Sequence, residues 1–369
     1  MELIIKQIVD KKNLANFDTM KMLDKLFDFP SKSFKTIHVT GTNGKGSVST
    51  KIAKVLSRQG HKTGLFTSPH IETCRERIQI DFKMIEDSDG VDIIKKILDI
   101  VPNINFFELL TMTAFIYFRS KCVKFAIIEV GVGGKLDSTN IVNPELSVIT
   151  NVTIDHVEIL GDNIYEIGEH KAGIIKYETP VVVGYRAALQ PIFRSAFECK
   201  APLYILCQEP DWWKENDAIA RKALSLITPE EIGETFHLCQ PCRLEVIDIK
   251  NLTLVFDIAH NVDAIEKLFT KLKTMFKDRT FSVIFAMSGK KEIKKSLTII
   301  QNYTQSIFAY ESGKSNLLKQ DEVKTIANVS QLIQLSIFVE IAKRNRDIVI
   351  ITGSSYIMHD LKLYFLGNN

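Results

Sequence analysis

The chain has 369 residues, enough for two domains rather than one, and its 45% hydrophobic and 25% charged content is that of an ordinary globular protein. A net charge of +3 is too small to argue for a nucleic-acid or membrane partner, which leaves small acidic molecules as ligands. No apolar run reaches the ~20 residues of a membrane span, no apolar core of signal-peptide type opens the chain, and the scattered cysteines read as reduced thiols in a cytoplasm.

Residues 1–29 read as helical, with Leu3, Ile4 and Ile8 and then Met20, Leu23, Leu26 and Phe27 at helical spacing, closed by Phe29-Pro30-Ser31. Ile37 to Val39 read as the end of a buried strand, and a helix is expected from Val48 to Arg58. Between them lies Gly41-Thr42-Asn43-Gly44-Lys45-Gly46-Ser47. A glycine turn that opens a helix points backbone N–H groups and the positive end of the helix dipole at an anion, and Lys45 adds a charge suited to polyphosphate. The strict P-loop string is not met, because Val39 stands where its first glycine belongs and Gly46 separates Lys45 from Ser47. The bland alternative is an ordinary glycine-rich turn.

Thr63 to Phe66 read as a second strand, ending in a sharp Ser68-Pro69-His70 turn, so that residues 35–67 form a βαβ unit and imply a parallel sheet. Ligands of such sheets collect beyond the carboxyl ends of the strands, which is where Ser68 and the glycine turn fall. Arg75 and Arg77 follow, either near that edge or as a solvated surface pair. Two helical patterns occupy 91–122, the second largely buried. Phe125 to Ile128 read as a central strand, so Glu129 at its tip needs a reason: coordination of Mg²⁺ beside a phosphate, or an ion pair with Lys or Arg. A second glycine-rich turn at 131–134 carries Lys135, Asp137 and Asn140. Leu146 to Asn151 form another strand, running into Asp155 and His156, and 161–176 read as one helix in which Lys171, beside Ala172 and Gly173, faces inward.

His38-Val-Thr-Gly-Thr-Asn-Gly-Lys-Gly-Ser47, Phe66-Thr-Ser-Pro-His70, Glu129-Val-Gly-Val-Gly-Gly-Lys-Leu-Asp-Ser-Thr-Asn140 and Lys171-Ala-Gly-Ile-Ile-Lys176 together resemble the folylpolyglutamate synthase/dihydrofolate synthase family of the Mur ligase superfamily. Asp257-Ile-Ala-His-Asn261 and Thr352-Gly-Ser-Ser355 continue the resemblance over nearly the whole chain. It implies an ATP-dependent amide ligase that adds L-glutamate to dihydropteroate or to a folate through an acyl phosphate, working as a monomer. Thr42, Asn43, Gly44, Lys45, Gly46 and Ser47 would then hold ATP, with Asn216, Arg243 and Asp257 as further contacts. Ser68 and Glu129 would contact one Mg²⁺ and His156 a second, although a histidine is an unusual ligand for so hard a cation. Lys171 would be carbamylated, His260 would serve the nucleotide or amino-acid side, and Leu136, Asp137 and Ser138 would border the pterin. Departures from the family are His170 where Glu is usual, Cys242 in place of the glycine of Pro-Gly-Arg, and a short stretch between Tyr204 and Asn216.

Cys239-Gln-Pro-Cys242 lacks a second pair for zinc and enters a strand rather than a helix, so incidental thiols are expected. Beyond it, Thr253–Ile258, Phe281–Ala286, Ser306–Tyr310 and Asp347–Thr352 read as strands. They alternate with helices at Val262–Phe276, Glu292–Tyr303, Ser330–Arg344 and Tyr356–Phe365. The expected architecture is α/β: a larger P-loop-type parallel-sheet ATPase domain over residues 1–246 and a smaller Rossmann-like domain over 247–369. Two other functions fit the same pattern. A peptidoglycan-branch ligase would share the ATP loop but take a UDP-sugar acceptor, and a nucleotide-binding regulator would have lost ligation.

Overall fold

A computed structural model describes residues 1–9, 17–230, 240–249, 252–287, 293–312, 317–319, 322–323 and 334–367. Two compact units divide it, Met1–Leu238 and Cys239–Asn369. The division lies ahead of the expected 246/247 boundary because strand Glu245–Ile249 pairs inside the second unit.

The first unit opens with helices α1 (Glu2–Val9) and α2 (Phe17–Leu26) in place of one long helical segment; residues 10–16 lie outside the described ones. Then follow β1 (Lys35–Thr40), α3 (Lys45–Arg58), β2 (Thr63–Phe66), β3 (Ile78–Ile80), β4 (Lys83–Met84), α4 (Asp87–Ile100), α5 (Phe106–Ser120) and β5 (Phe125–Glu129). The unit continues through β6 (Leu146–Ile149), α6 (Val157–Leu160), α7 (Ile164–Ala172), β7 (Val181–Val183), α8 (Gln190–Glu198), β8 (Leu203–Ile205) and α9 (Trp212–Ile227). The sheet order is β4-β3-β2-β5-β1-β6-β7-β8, parallel from β2 to β8 with β3 and β4 antiparallel at one edge. Chain order reverses around β1, which sits between β5 and β6, so the carboxyl ends of β2, β5, β1 and β6 stand side by side about 4.8 Å apart. That is where an open α/β sheet collects ligands.

Every residue of β2, β5 and β6 is buried, as helices on both faces of a parallel sheet require. One face packs α1, α2, α4 and α5 around Phe66, Phe115 and Phe118; the other packs α3 and α9 around Ile37, Val39, Ile52 and Ile219. Helix α3 begins at Lys45, earlier than the hydrophobic pattern indicates, because the glycine turn itself supplies its first residues. The helix expected at 161–176 is the shorter α7: Gly161, at φ +94°, closes the preceding α6, and Asn163 caps α7 by accepting from Tyr165 and Glu166.

In the second unit β9 (Glu245–Ile249), β10 (Leu252–Phe256), α10 (Val262–Met275), β11 (Phe281–Phe285), α11 (Ile293–Gln301), β12 (Ile307–Ala309) and β13 (Ile348–Thr352) form a sheet ordered β12-β11-β13-β10-β9. It is parallel except for β9, the one pairing that the alternation of strands and helices does not reveal. Helices Leu335–Asn345 and Met358–Leu366 complete it, the second after a 3-10 turn at Ser355–Ile357. Cys239 and residues 330–333 lie outside the described residues. Among those described, no helix is long and apolar enough to cross a membrane.

Phe118 meets Phe34 edge-on at 5.9 Å and lies against Gly64, whose missing side chain leaves room for its ring. Phe118→Ala is expected to destabilise the protein by about 3–5 kcal/mol, read as a lower urea midpoint at unchanged m-value.

Candidate active site

The turn after β1 is built from β6 as well as from itself. Thr42 N donates to Asn151 O at 3.0 Å, Asn43 N to Asn151 Oδ1 at 2.9 Å, and Thr150 Oγ1 to Asn43 O at 2.6 Å. Thr42 Oγ1 donates to Thr153 O at 3.0 Å. The turn ends at Gly44, the cap of α3, where φ is +83° and a Cβ would lie 2.5 Å from Asn216 Oδ1. Asn216 is therefore placed against the loop from within α9, not ahead of a helix. Lys45 Nζ folds back to donate to Gly41 O at 3.0 Å and Thr42 O at 3.2 Å.

Glu129 closes β5 one strand away and is 2% exposed. Its Oε2 accepts from Ser68 N at 2.9 Å, and a Cβ on Gly46 would lie 3.4 Å from the same oxygen. The tips of β1, β2 and β5 thus bring Ser68, Glu129 and the start of α3 together. Arg77, on the same side, is no solvated surface residue: it is buried, donates from Nε to His70 Nδ1 at 2.8 Å and lies over the Phe106 ring. Arg75 donates from Nε to Ile85 O at 2.7 Å.

Lys171 faces inward, as Ala172 and Gly173 beside it suggest, and is 2% exposed. Burial holds its ammonium well below the ordinary lysine range and the charge of Lys45 pushes it further, while Asp155 and Asp137 oppose them. Its backbone lies against the second glycine turn, where a Cβ on Gly134 would sit 2.9 Å from His170 O and 3.3 Å from Lys171 O. His156, next to Asp155, caps α6 with φ 50° and donates its N–H to Asp155 Oδ1 at 2.9 Å. Asp137 and Ser138 are buried on the turn after β5, whereas Leu136 is 65% exposed. Burial raises the Asp137 carboxyl against four hydrogen bonds, from the Thr139 hydroxyl and the backbones of Val132, Thr139 and Gly131.

Within the second unit, Asp257 lies just past β10 and accepts from Leu244 N at 2.7 Å and Ala259 N at 2.8 Å. Burial raises its carboxyl, against the attraction of Arg243. His260 Nδ1 is 2.9 Å from Ile258 O, and the cap of α10 is Asn261, which accepts from Ala264 N, so His260 precedes the helix. Cys242, where the family pattern has glycine, is buried with φ 54°, a conformation that favours glycine. Motif reading passed over Thr40, Thr139 and His38, whose side chains buttress the turn after β5; a strand with polar residues at alternate positions and no solvent-facing side was the available signal.

A glycine turn with a lysine opening a helix, a carboxylate at the neighbouring strand tip and a buried lysine nearby define a nucleotide-dependent group-transfer enzyme of the P-loop kind. The Mur ligase middle domain matches residues 39–184, and the Mur ligase, glutamate ligase domain matches 242–355. The dihydrofolate synthase/folylpolyglutamate synthase of Bacillus subtilis is 30% identical over 93% of this chain and 93% of its own length. The fold is that of E. coli FolC in complex with DHPP and ADP, at 22% identity and TM-score 0.89, covering 100% of this chain and 97% of that one. A bifunctional folylpolyglutamate synthase/dihydrofolate synthase with Mn, AMPPNP and L-glutamate bound superposes at TM-score 0.87, with 23% identity and 98% and 97% coverage. The chain belongs to the folylpolyglutamate synthase/dihydrofolate synthase family and is an ATP-dependent ligase.

Two outcomes are expected. Gly44→Ala places a Cβ in a left-handed conformation against Asn216 and is expected to weaken ATP binding about tenfold or more in calorimetry, with the far-ultraviolet spectrum unchanged. For Lys171, the folded state binds its proton less readily than the unfolded chain. Its destabilising effect is therefore full below the folded pKa and vanishes as pH rises to the ordinary value of 10.5. Lys171→Met should accordingly raise the urea midpoint at neutral pH, by a margin that shrinks to nothing above about pH 10.5.

Proposed function

We propose that this ligase joins the amine of L-glutamate to a carboxylate of dihydropteroate or of a reduced folate, with ATP as the phosphoryl donor. The observation that carries the reading is the meeting of Glu129 with Ser68 at 2.9 Å over the first turn of α3, beside the loop that holds Lys45. FolC carries DHPP and ADP, and the relative with Mn and AMPPNP carries L-glutamate, which supports the same substrates here.

Backbone N–H groups from Gly44 to Ser47 bind the ATP phosphates, and Lys45 exchanges its two carbonyl partners for phosphate oxygens. An acceptor carboxylate oxygen attacks the γ-phosphorus in line; the bond to the bridging oxygen breaks and ADP leaves. The amine of glutamate then attacks the acyl carbon, loses a proton and expels inorganic phosphate, leaving an amide. Among the described residues no three His, Cys, Asp or Glu side chains gather to hold a metal. The donors at the strand tips are one buried carboxylate and a serine, which fits Mg²⁺, an ion completed by phosphate oxygens and water. Glu129 and Ser68 would hold the first ion and His156 the second, and bound Mg²⁺ supplies neutralisation of the phosphoryl charge. Lys171, whose ammonium is disfavoured by burial and by the charge of Lys45, is suited to take up CO₂ as a carbamate, the amine losing a proton and becoming an anion. The nucleotide roles of Asn216, Arg243 and Asp257 and the place of His260 are carried by the sequence resemblance.

The test is ADP release with glutamate and with dihydropteroate or tetrahydrofolate supplied separately. Release should require glutamate and one of the two acceptors, and Lys45→Ala and Glu129→Ala should each cut it about a hundredfold or more. ADP release indifferent to glutamate, or near-normal turnover in either variant, would refute the assignment.

A further inference from the structure

Strand β1 has two unlike faces although both are buried. Ile37 and Val39 enter the core beneath α3, whereas Thr36, His38 and Thr40, each at most 1% exposed, occupy the other face. Two of those polar side chains end on the turn after β5. Thr40 Oγ1 donates to Gly133 O at 2.6 Å, and His38 Nε2 lies 2.9 Å from Thr139 Oγ1. Thr139 Oγ1 in turn donates to Asp137 Oδ1 at 2.5 Å, and the other carboxylate oxygen accepts from Val132 N at 3.0 Å.

Counting hydrogens fixes the direction of this chain. Asp137 accepts from the backbone N–H groups of Val132, Thr139 and Gly131, and the Thr139 hydroxyl donates to its Oδ1. A hydroxyl has one hydrogen, so toward His38 it can only accept, and the imidazole proton lies on Nε2. Nδ1 is then bare, which agrees with its being a buried atom without a hydrogen-bond partner. A second proton there would be an uncompensated buried charge; burial and nearby Lys176 hold this imidazole down to about 3, so it stays neutral at any working pH.

We infer that His38 is a positioning residue for the acceptor substrate: through the Thr139 hydroxyl it holds the Asp137 carboxylate that closes the 131–137 turn. This rests on the proposed reaction and on the family resemblance, which implies that Asp137 borders the pterin, and it separates His38 from the glycine loop that follows it directly in sequence. The relay serves the acceptor; the loop serves ATP.

Thr139→Val removes the hydroxyl at nearly constant shape and His38→Leu removes the donor, whereas Thr139→Ser and His38→Gln keep an equivalent group. Breaking a buried hydrogen bond to a charged chain should raise the KM for the pterin or folate acceptor about tenfold or more in the first two variants, with the KM for ATP within about twofold. The conservative variants should recover most of the loss, and the double variant His38→Leu/Thr139→Val should be little worse than either single one, since both cut one relay. Faster hydrogen exchange over residues 130–134 in His38→Leu, but not in His38→Gln, reads the same contact without any assay of turnover. Equal rises in both KM values, or a Gln variant as impaired as Leu, or unchanged exchange, would overturn the inference. A wild-type enzyme indifferent to pterin acceptors would instead sink the reaction while leaving the exchange result to stand or fall alone.

Discussion

Burial of charge at the tips of a parallel sheet is the constraint on which the rest of the structure turns. Glu129 and Lys171 are both 2% exposed, and either would cost several kcal/mol if buried without compensation. Their compensations differ. The carboxylate accepts a backbone N–H from Ser68 and lies beside the first turn of α3, where the helix dipole is positive. The amine has its ionised form disfavoured by burial and by Lys45. One device accommodates a carboxylate and the other disfavours a cation.

The sheet order makes this possible at small expense in chain. Because β1 lies between β5 and β6, loops remote in sequence become neighbours, and the glycine loop that ends β1 is braced by Thr150 and Asn151, just past β6, while it is β1 itself that reaches the turn after β5. The same strand braces the turn after β5 from its opposite face through Thr40 and His38. A single central strand therefore positions the glycine loop at its end and the 131–137 turn along its side.

Much of this was legible in the sequence. The glycine turn, the strand ending at Glu129 and the inward lysine are local patterns with local causes, and their spacing carried the family resemblance. What escaped was long-range. The helix read at 161–176 runs only over Ile164–Ala172, since Gly161 closes the short helix before it and the Asn163 cap sets the new start. The antiparallel strand β9 was not distinguishable from the parallel ones, since direction is a property of the pairing and not of the strand. Arg77 reads either as a residue near the strand-tip edge or as a solvated surface charge until Phe106 and His70 are seen to enclose it.

His38 marks the division most clearly. In the sequence it is one polar residue in an apolar strand, adjacent to a phosphate motif and easily counted as part of it. The order of residues determined the helix-opening loop, the residue types at the strand ends and the α/β class, because these depend on neighbours along the chain. Only the tertiary structure decided which side chains share a hydrogen: β-strand alternation turns His38 away from the loop and toward Thr139, 101 positions further on. Contacts of that kind are set by how strands are ordered in the sheet, which no short stretch of chain encodes.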